Sequence, residues 1–98
     1  MPYAVEIAPR IRRLIRLWPI SDTLLVEIYL RLDTLKTDPW RLLRPTSQDF
    51  PGMSYYFSLI DPDNRLCEHE FEFQVVYGQD EERLHVVQGA HRRTTIGP

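Results

Sequence analysis

The sequence predicts an α+β domain: an N-terminal strand, a two-helix antiparallel hairpin, then a three-stranded antiparallel meander. Three observations lead there. Apolar residues alternate with polar ones near the start and through most of the second half, most clearly in LCEHEFEFQVVY at residues 66–77. Between these stretches the apolar residues recur at helical spacing. Clusters of Pro, Gly, Asp and Asn punctuate the chain where the period changes.

Tyr3, Val5 and Ile7 alternate with Ala4 and Glu6, which predicts a short opening strand. Pro9 suits the first turn of a helix, where an N–H would lack a partner in any case. Ile11, Leu14, Ile15 and Trp18 then form one helical stripe, Arg10, Arg12, Arg13 and Arg16 occupy much of the remaining circumference, and Pro19 ends the segment. Ser21 is a good N-cap for a second helix, with Asp22 complementing the helix dipole. Its stripe is Leu24, Leu25, Ile28, Tyr29, Leu32 and Leu35, with Glu27 and Arg31 paired outside and Asp38 before Pro39 as its stop. The short break between the helices predicts an antiparallel pair, with Trp40, Leu42 and Leu43 as a hydrophobic flap beneath it.

Residues 45–52 read as a loop, and Met53, Tyr55, Phe57 and Leu59 mark one face of a strand over residues 53–60. Asp61, Pro62, Asp63, Asn64 and Arg65 are turn residues. The central strand follows, with Cys67, His69, Phe71, Phe73, Val75 and Tyr77 on one face and Glu68, Glu70, Glu72, Gln74 and Val76 on the other. Residues 78–83 form a second turn, Leu84, Val86 and Val87 mark a third strand, and the polar tail from Gly89 onward is expected to fray. The predicted core is Val5, Ile7, Leu14, Leu25, Ile28, Leu32, Phe57, Phe71, Phe73 and Val75.

At 98 residues the chain is expected to be one domain, residues 1–98, with a single modest core. A net charge of −2 advertises no general affinity for nucleic acid. The charges are unevenly placed: residues 1–45 carry eight Arg and Lys against five Asp and Glu, and residues 46–83 carry two against nine. The lone Cys67 sits on the apolar face, as a small core residue would, and fits a reducing compartment. No stretch is apolar enough to span a membrane, and Glu6, Arg10, Arg12 and Arg13 interrupt the place where a signal peptide needs an apolar run. A cytoplasmic location is expected.

Motifs of known chemistry are scarce. The sequence has no glycine-rich phosphate loop, no paired-cysteine zinc pattern and no nucleophile elbow, so no cofactor and no metal are expected. His69 reads as a hydrogen-bonded core histidine. Glu68, Glu70 and Glu72 stand about 7 Å apart on one face, a solvated row or a docking surface for a basic partner, joined by Trp40 as a candidate partner contact. Arg12, Arg13 and Arg16 are candidates for gripping RNA phosphates, or form a solvated helix face.

The opening PYAVEIAPRIRRLIRL, the stretch LDTLKTDPWRLLRP and the closing FQVVYGQDEERLHVVQGAHRR, taken with the order of elements, resemble the RelE/ParE superfamily. These proteins are the toxin components of bacterial type II toxin–antitoxin systems. The resemblance implies a RelE/ParE-like fold, a cognate antitoxin as partner, and one of two targets: ribosome-bound mRNA, which is cleaved, or a protein such as gyrase, which is blocked. Members that cleave mRNA promote 2′-hydroxyl attack with several cations and a terminal tyrosine or histidine on the open sheet face. Carried over, Arg92 matches the basic position after the last strand and would contact the scissile phosphate, with His91 or His85 as general acid. The arginine expected in the middle strand falls on Gln74, and the residues after Arg93 contain no aromatic. Glu68, Glu70 and Glu72 would meet phosphates with like charge. An mRNA-interferase-like toxin with a degenerate site is therefore expected, with ribonuclease activity absent or very weak. The alternatives are a ParE-like inhibitor of a protein, and an unrelated interaction module docking a basic partner on its acidic sheet face.

Overall fold

A computed structural model describes residues 3–45, 52–77 and 82–96. Strand β1 (Ala4–Ile7) leads into helix α1 (Pro9–Leu17), which has Pro9 at its first turn, and helix α2 (Asp22–Asp33) follows. The Ser21 hydroxyl accepts from Leu24 N–H at 3.3 Å, the cap expected from the sequence. Helix α2 is shorter than its apolar stripe suggested. It tightens into a 3₁₀ turn at Thr34–Lys36, where the Thr34 hydroxyl donates to the Arg31 carbonyl at 2.5 Å, and Leu35 stays buried. The expected flap is a single helical turn, α3 (Pro39–Leu42), with Leu43 buried behind it.

The chain then forms β2 (Arg44–Pro45), β3 (Met53–Asp61), β4 (Asn64–Tyr77) and β5 (Arg83–Thr95). The meander β3–β4–β5 is antiparallel, as expected, but it belongs to a five-stranded mixed sheet in the order β1-β5-β4-β3-β2. Strand β1 lies parallel to β5, with Val5 beside Leu84 and Ile7 beside Val86. Strand β4 is the middle strand. Most of the loop expected over residues 45–52 and of the turn expected over residues 78–83 lies outside the described residues, although Pro45 pairs with Met53 in β2–β3 and Arg83, expected in the turn, already pairs with Ala4 at the start of β5.

The tail does not fray. Strand β5 continues through Gly89, His91 and Arg93 to Thr95, because the 14 residues of β4 offer backbone partners along that whole length. A β-bulge explains why the continuation was illegible. Gln74 faces Gln88 and Val75 faces Val86, so Val87 is the extra residue. Leu84 and Val86 before it, and Gly89, His91 and Arg93 after it, thereby share one face although their numbers change from even to odd. A Cβ on Gly89 would come within 3.1 Å of the Phe73 ring and 3.4 Å of Trp18, so its missing side chain lets both aromatics close over the strand.

The register of β4 matches the alternation in its sequence. Phe71, Phe73 and Val75 are fully buried, and Glu72 is exposed on the other face. Of the predicted core, Ile28, Leu32, Phe57, Phe71, Phe73 and Val75 are buried, while Val5, Ile7, Leu14 and Leu25 pack partly buried against them. Ile11, Ile15, Leu35, Leu43, Tyr55, Leu84 and Val86 complete the core. Trp18 leaves the end of α1 and lies over Phe71 and Phe73, with ring centroids 5.7 and 5.9 Å away. It closes the apolar part of this inner face.

Candidate functional site

Beyond Trp18 the inner face becomes polar. Cys67 and His69 project inward from β4, His91 and Arg93 project inward from β5, and Asp61 stands at the end of β3 where the hairpin turns. His69 is only 1% exposed, yet every polar atom of its ring has a partner. Nδ1 meets His91 Nε2 at 2.8 Å, and Nε2 lies 3.3 Å from Asp61 Oδ2 and 3.6 Å from Cys67 Sγ. One proton occupies the contact between the two imidazoles, so one ring donates and the other accepts. His91 also packs against both Trp18 and Phe71, with centroids 5.5 and 5.2 Å away. Burial, followed by the electrostatic effect of His69 and Arg93, lowers the His91 pKa, which favours a neutral ring. Arg93 Nε donates to Cys67 Sγ at 2.9 Å. The Asp61 carboxylate accepts the Asp63 N–H through Oδ1 at 2.9 Å, and that bond, with the contact to His69, lowers its pKa.

A cysteine, a histidine and an aspartate in contact suggest a nucleophilic triad, but the geometry is not that of one. A triad places the carboxylate on one ring nitrogen and the nucleophile on the other. Here Asp61 and Cys67 share Nε2, and Nδ1 is taken by His91. Cys67 is also buried, which shields its sulfur from a substrate.

The outer face carries the acidic row. Glu70 is held from two sides, accepting from Tyr56 Oη at 2.6 Å and from Arg92 Nε at 2.6 Å. The bond from Arg92 is the main reason, and that from Tyr56 the next, why the Glu70 pKa is lowered. Reciprocally, Glu70 raises the pKa of both Tyr56 and Arg92. Glu68 and Glu72 flank this group, opposite Thr94 and Ala90. A shallow depression lined by Tyr56, Glu70, Glu72, Ala90 and Arg92 lies over it.

The sequence candidates are thus distributed over several surfaces. Arg92 points outward and is engaged by Glu70, whereas His91, its neighbour, points inward to His69. His85 is six residues from His91, about 20 Å along the strand, and faces Glu6 with Nδ1 3.4 Å from Oε2. These three therefore do not converge on one phosphate. Arg12, Arg13 and Arg16 are exposed on α1, with the Arg12 guanidinium 5.6 Å from the Tyr29 ring. Arg10 donates to the Val87 carbonyl. Trp40 is 44% exposed, donates from Nε1 to Tyr3 Oη at 3.1 Å and stacks on Tyr77 with centroids 4.6 Å apart.

The grouping of Asp61, Cys67, His69, His91 and Arg93 is what sequence reasoning missed. One signal was present: Cys67 and His69 at two-residue spacing lie on one face of a strand. Asp61 joins them through the hairpin, and His91 and Arg93 only through the bulged register of β5. Comparison with protein-family models, curated proteins and solved structures returned no match, so the site is read from its own residues.

Proposed function

We propose that this domain is the toxin-like component of a toxin–antitoxin pair, with a RelE/ParE-like arrangement of strand, antiparallel helical pair and meander, and that it acts by binding a protein target rather than by cutting RNA. The observation that carries the reading is a mainly apolar groove at the edge of the sheet, bordered by Arg12, Asp33 and Lys36. Strand β1 has no strand neighbour on its outer side among the described residues. Val5 and Ile7 there share a groove with Val26, Tyr29 and Leu30 of α2, and Val26 and Leu30 are 59% and 56% exposed. An antitoxin segment can add to such an edge as a strand, or lay an amphipathic helix along it. The dispersal of Arg92, His91 and His85 supports the second half of the proposal. An Arg92 neutralised by Glu70 offers little to a scissile phosphate, and neither His91 on the opposite face nor His85, about 20 Å along the strand, can serve it as general acid.

Expression of the chain alone should arrest growth, and co-expression with the product of the adjacent gene should relieve the arrest and yield one complex by size-exclusion chromatography. Leu30→Glu should prevent that complex while leaving the fold intact by circular dichroism. Two folded proteins eluting independently would refute the pairing. Robust cleavage of ribosome-bound mRNA by the wild type, lost in Arg92→Ala, would restore the enzyme.

A further inference from the structure

We infer that Asp61, Cys67 and His69 form a binding site for a transition-metal ion of the zinc type. The three ligand atoms, Asp61 Oδ2, Cys67 Sγ and His69 Nε2, all lie within 4.8 Å of one another. The two separations from His69 Nε2 fit one ion. With bonds of about 2.0–2.1 Å to nitrogen and oxygen and about 2.3 Å to sulfur, the edges of a zinc tetrahedron measure about 3.3 Å for N···O and about 3.6 Å for N···S. The corresponding separations here are 3.3 Å and 3.6 Å.

The surroundings argue for the same assignment. Each ligand is held through an atom that the ion would not use, or by a donor to the ligating atom. His69 Nδ1 meets His91 Nε2, so with Nδ1 as the donor the ring presents a bare Nε2. Asp61 Oδ1 accepts from Asp63 N–H, which leaves Oδ2 to bind. Cys67 Sγ accepts from Arg93 Nε, an N–H···S bond that a thiolate ligand retains. Outer partners of this kind orient metal ligands and sustain affinity. Binding releases the Cys67 thiol proton, and any proton on His69 Nε2, to solvent. The carboxylate and thiolate then balance the two charges of the ion. One sulfur, one imidazole and one carboxylate suit zinc or cobalt better than magnesium or calcium, which prefer oxygen alone. Three ligands come from this chain and water completes the tetrahedron.

Zinc content and cobalt titration of the full-length, untagged protein test the assignment. The wild type should hold one zinc per chain after dialysis. Titration of the metal-free protein with Co²⁺ should saturate at one equivalent, with a thiolate-to-cobalt charge-transfer band and tetrahedral visible bands. Cys67→Ser should abolish the charge-transfer band. Asp61→Asn, at the partly exposed turn, should weaken Co²⁺ binding at least 10-fold while its circular dichroism stays that of the wild type. Glu70→Gln, on the opposite face, should bind as the wild type does. A wild type that takes up neither ion at one equivalent, or an Asp61→Asn variant that binds as tightly as wild type, would overturn the site.

Discussion

The inner face of the β4–β5 ladder has two ends built on different rules. At one end Phe73, Val75, Leu84 and Val86 are buried beneath the helices and hold together through shape and loss of water contact alone. At the other end, past Trp18, Cys67 and His69 are equally buried but carry polar atoms, and each of those atoms is matched by Asp61, His91 or Arg93. The strands, the face and the pleat are the same. What differs is the company: the helices bring apolar side chains over the first end, whereas at the second Trp18 meets the His91 imidazole. A buried polar group without a partner is costly. The second end therefore depends on which polar atoms meet, while the first depends on volume and shape.

Substitutions can break this comparison in order of severity. Phe73→Ala, at the apolar end, should destabilise by about 3–5 kcal/mol through lost burial and the cavity left behind, seen as a lower urea midpoint at unchanged slope. A loss below about 1 kcal/mol would mean that Trp18 and Tyr55 collapse into the space. At the polar end His69→Leu keeps an apolar group of similar bulk but strips partners from His91, Asp61 and Cys67. It should cost about 1–3 kcal/mol in the same urea titration, and a neutral result would show that the network adds no stability.

The smallest effect belongs to the outer face and appears only against pH. Glu70 has its folded pKa lowered by Arg92 and Tyr56, so the folded state favours its ionised form. Its contribution is fully present above the unfolded carboxylate value and is lost as pH falls through the lowered folded value. Glu70→Gln should therefore lower thermal stability slightly near neutral pH and converge with the wild type in acid, so that its loss on acidification is shallower. An unchanged acid limb would show that solvent screens the Arg92–Glu70 pair completely.

Much of this molecule is legible along the chain. The Ser21 cap, Pro9 at the start of α1 and the two-residue period of β4 are local signals, set by the reach of a side chain to its own backbone, by the fixed backbone of proline or by the pleat of one strand. They are enough to place Phe71 and Phe73 inside and the glutamates outside. The alternation in LCEHEF likewise assigns Cys67 and His69 to the apolar face of their strand, without reference to any neighbouring element. Only the tertiary structure decided what surrounds them. Strand β1 lies beside β5 because residues far apart in sequence pair there, and no local pattern encodes a neighbour. The bulge at Val87 reverses which residues of β5 face inward, so it alone delivers His91 and Arg93 to His69 and Cys67 while sending Arg92 to Glu70. A one-residue shift in strand register exchanges the two faces, and such a shift arises from pairing between strands, which is why the polar site could not be read from the order of residues alone.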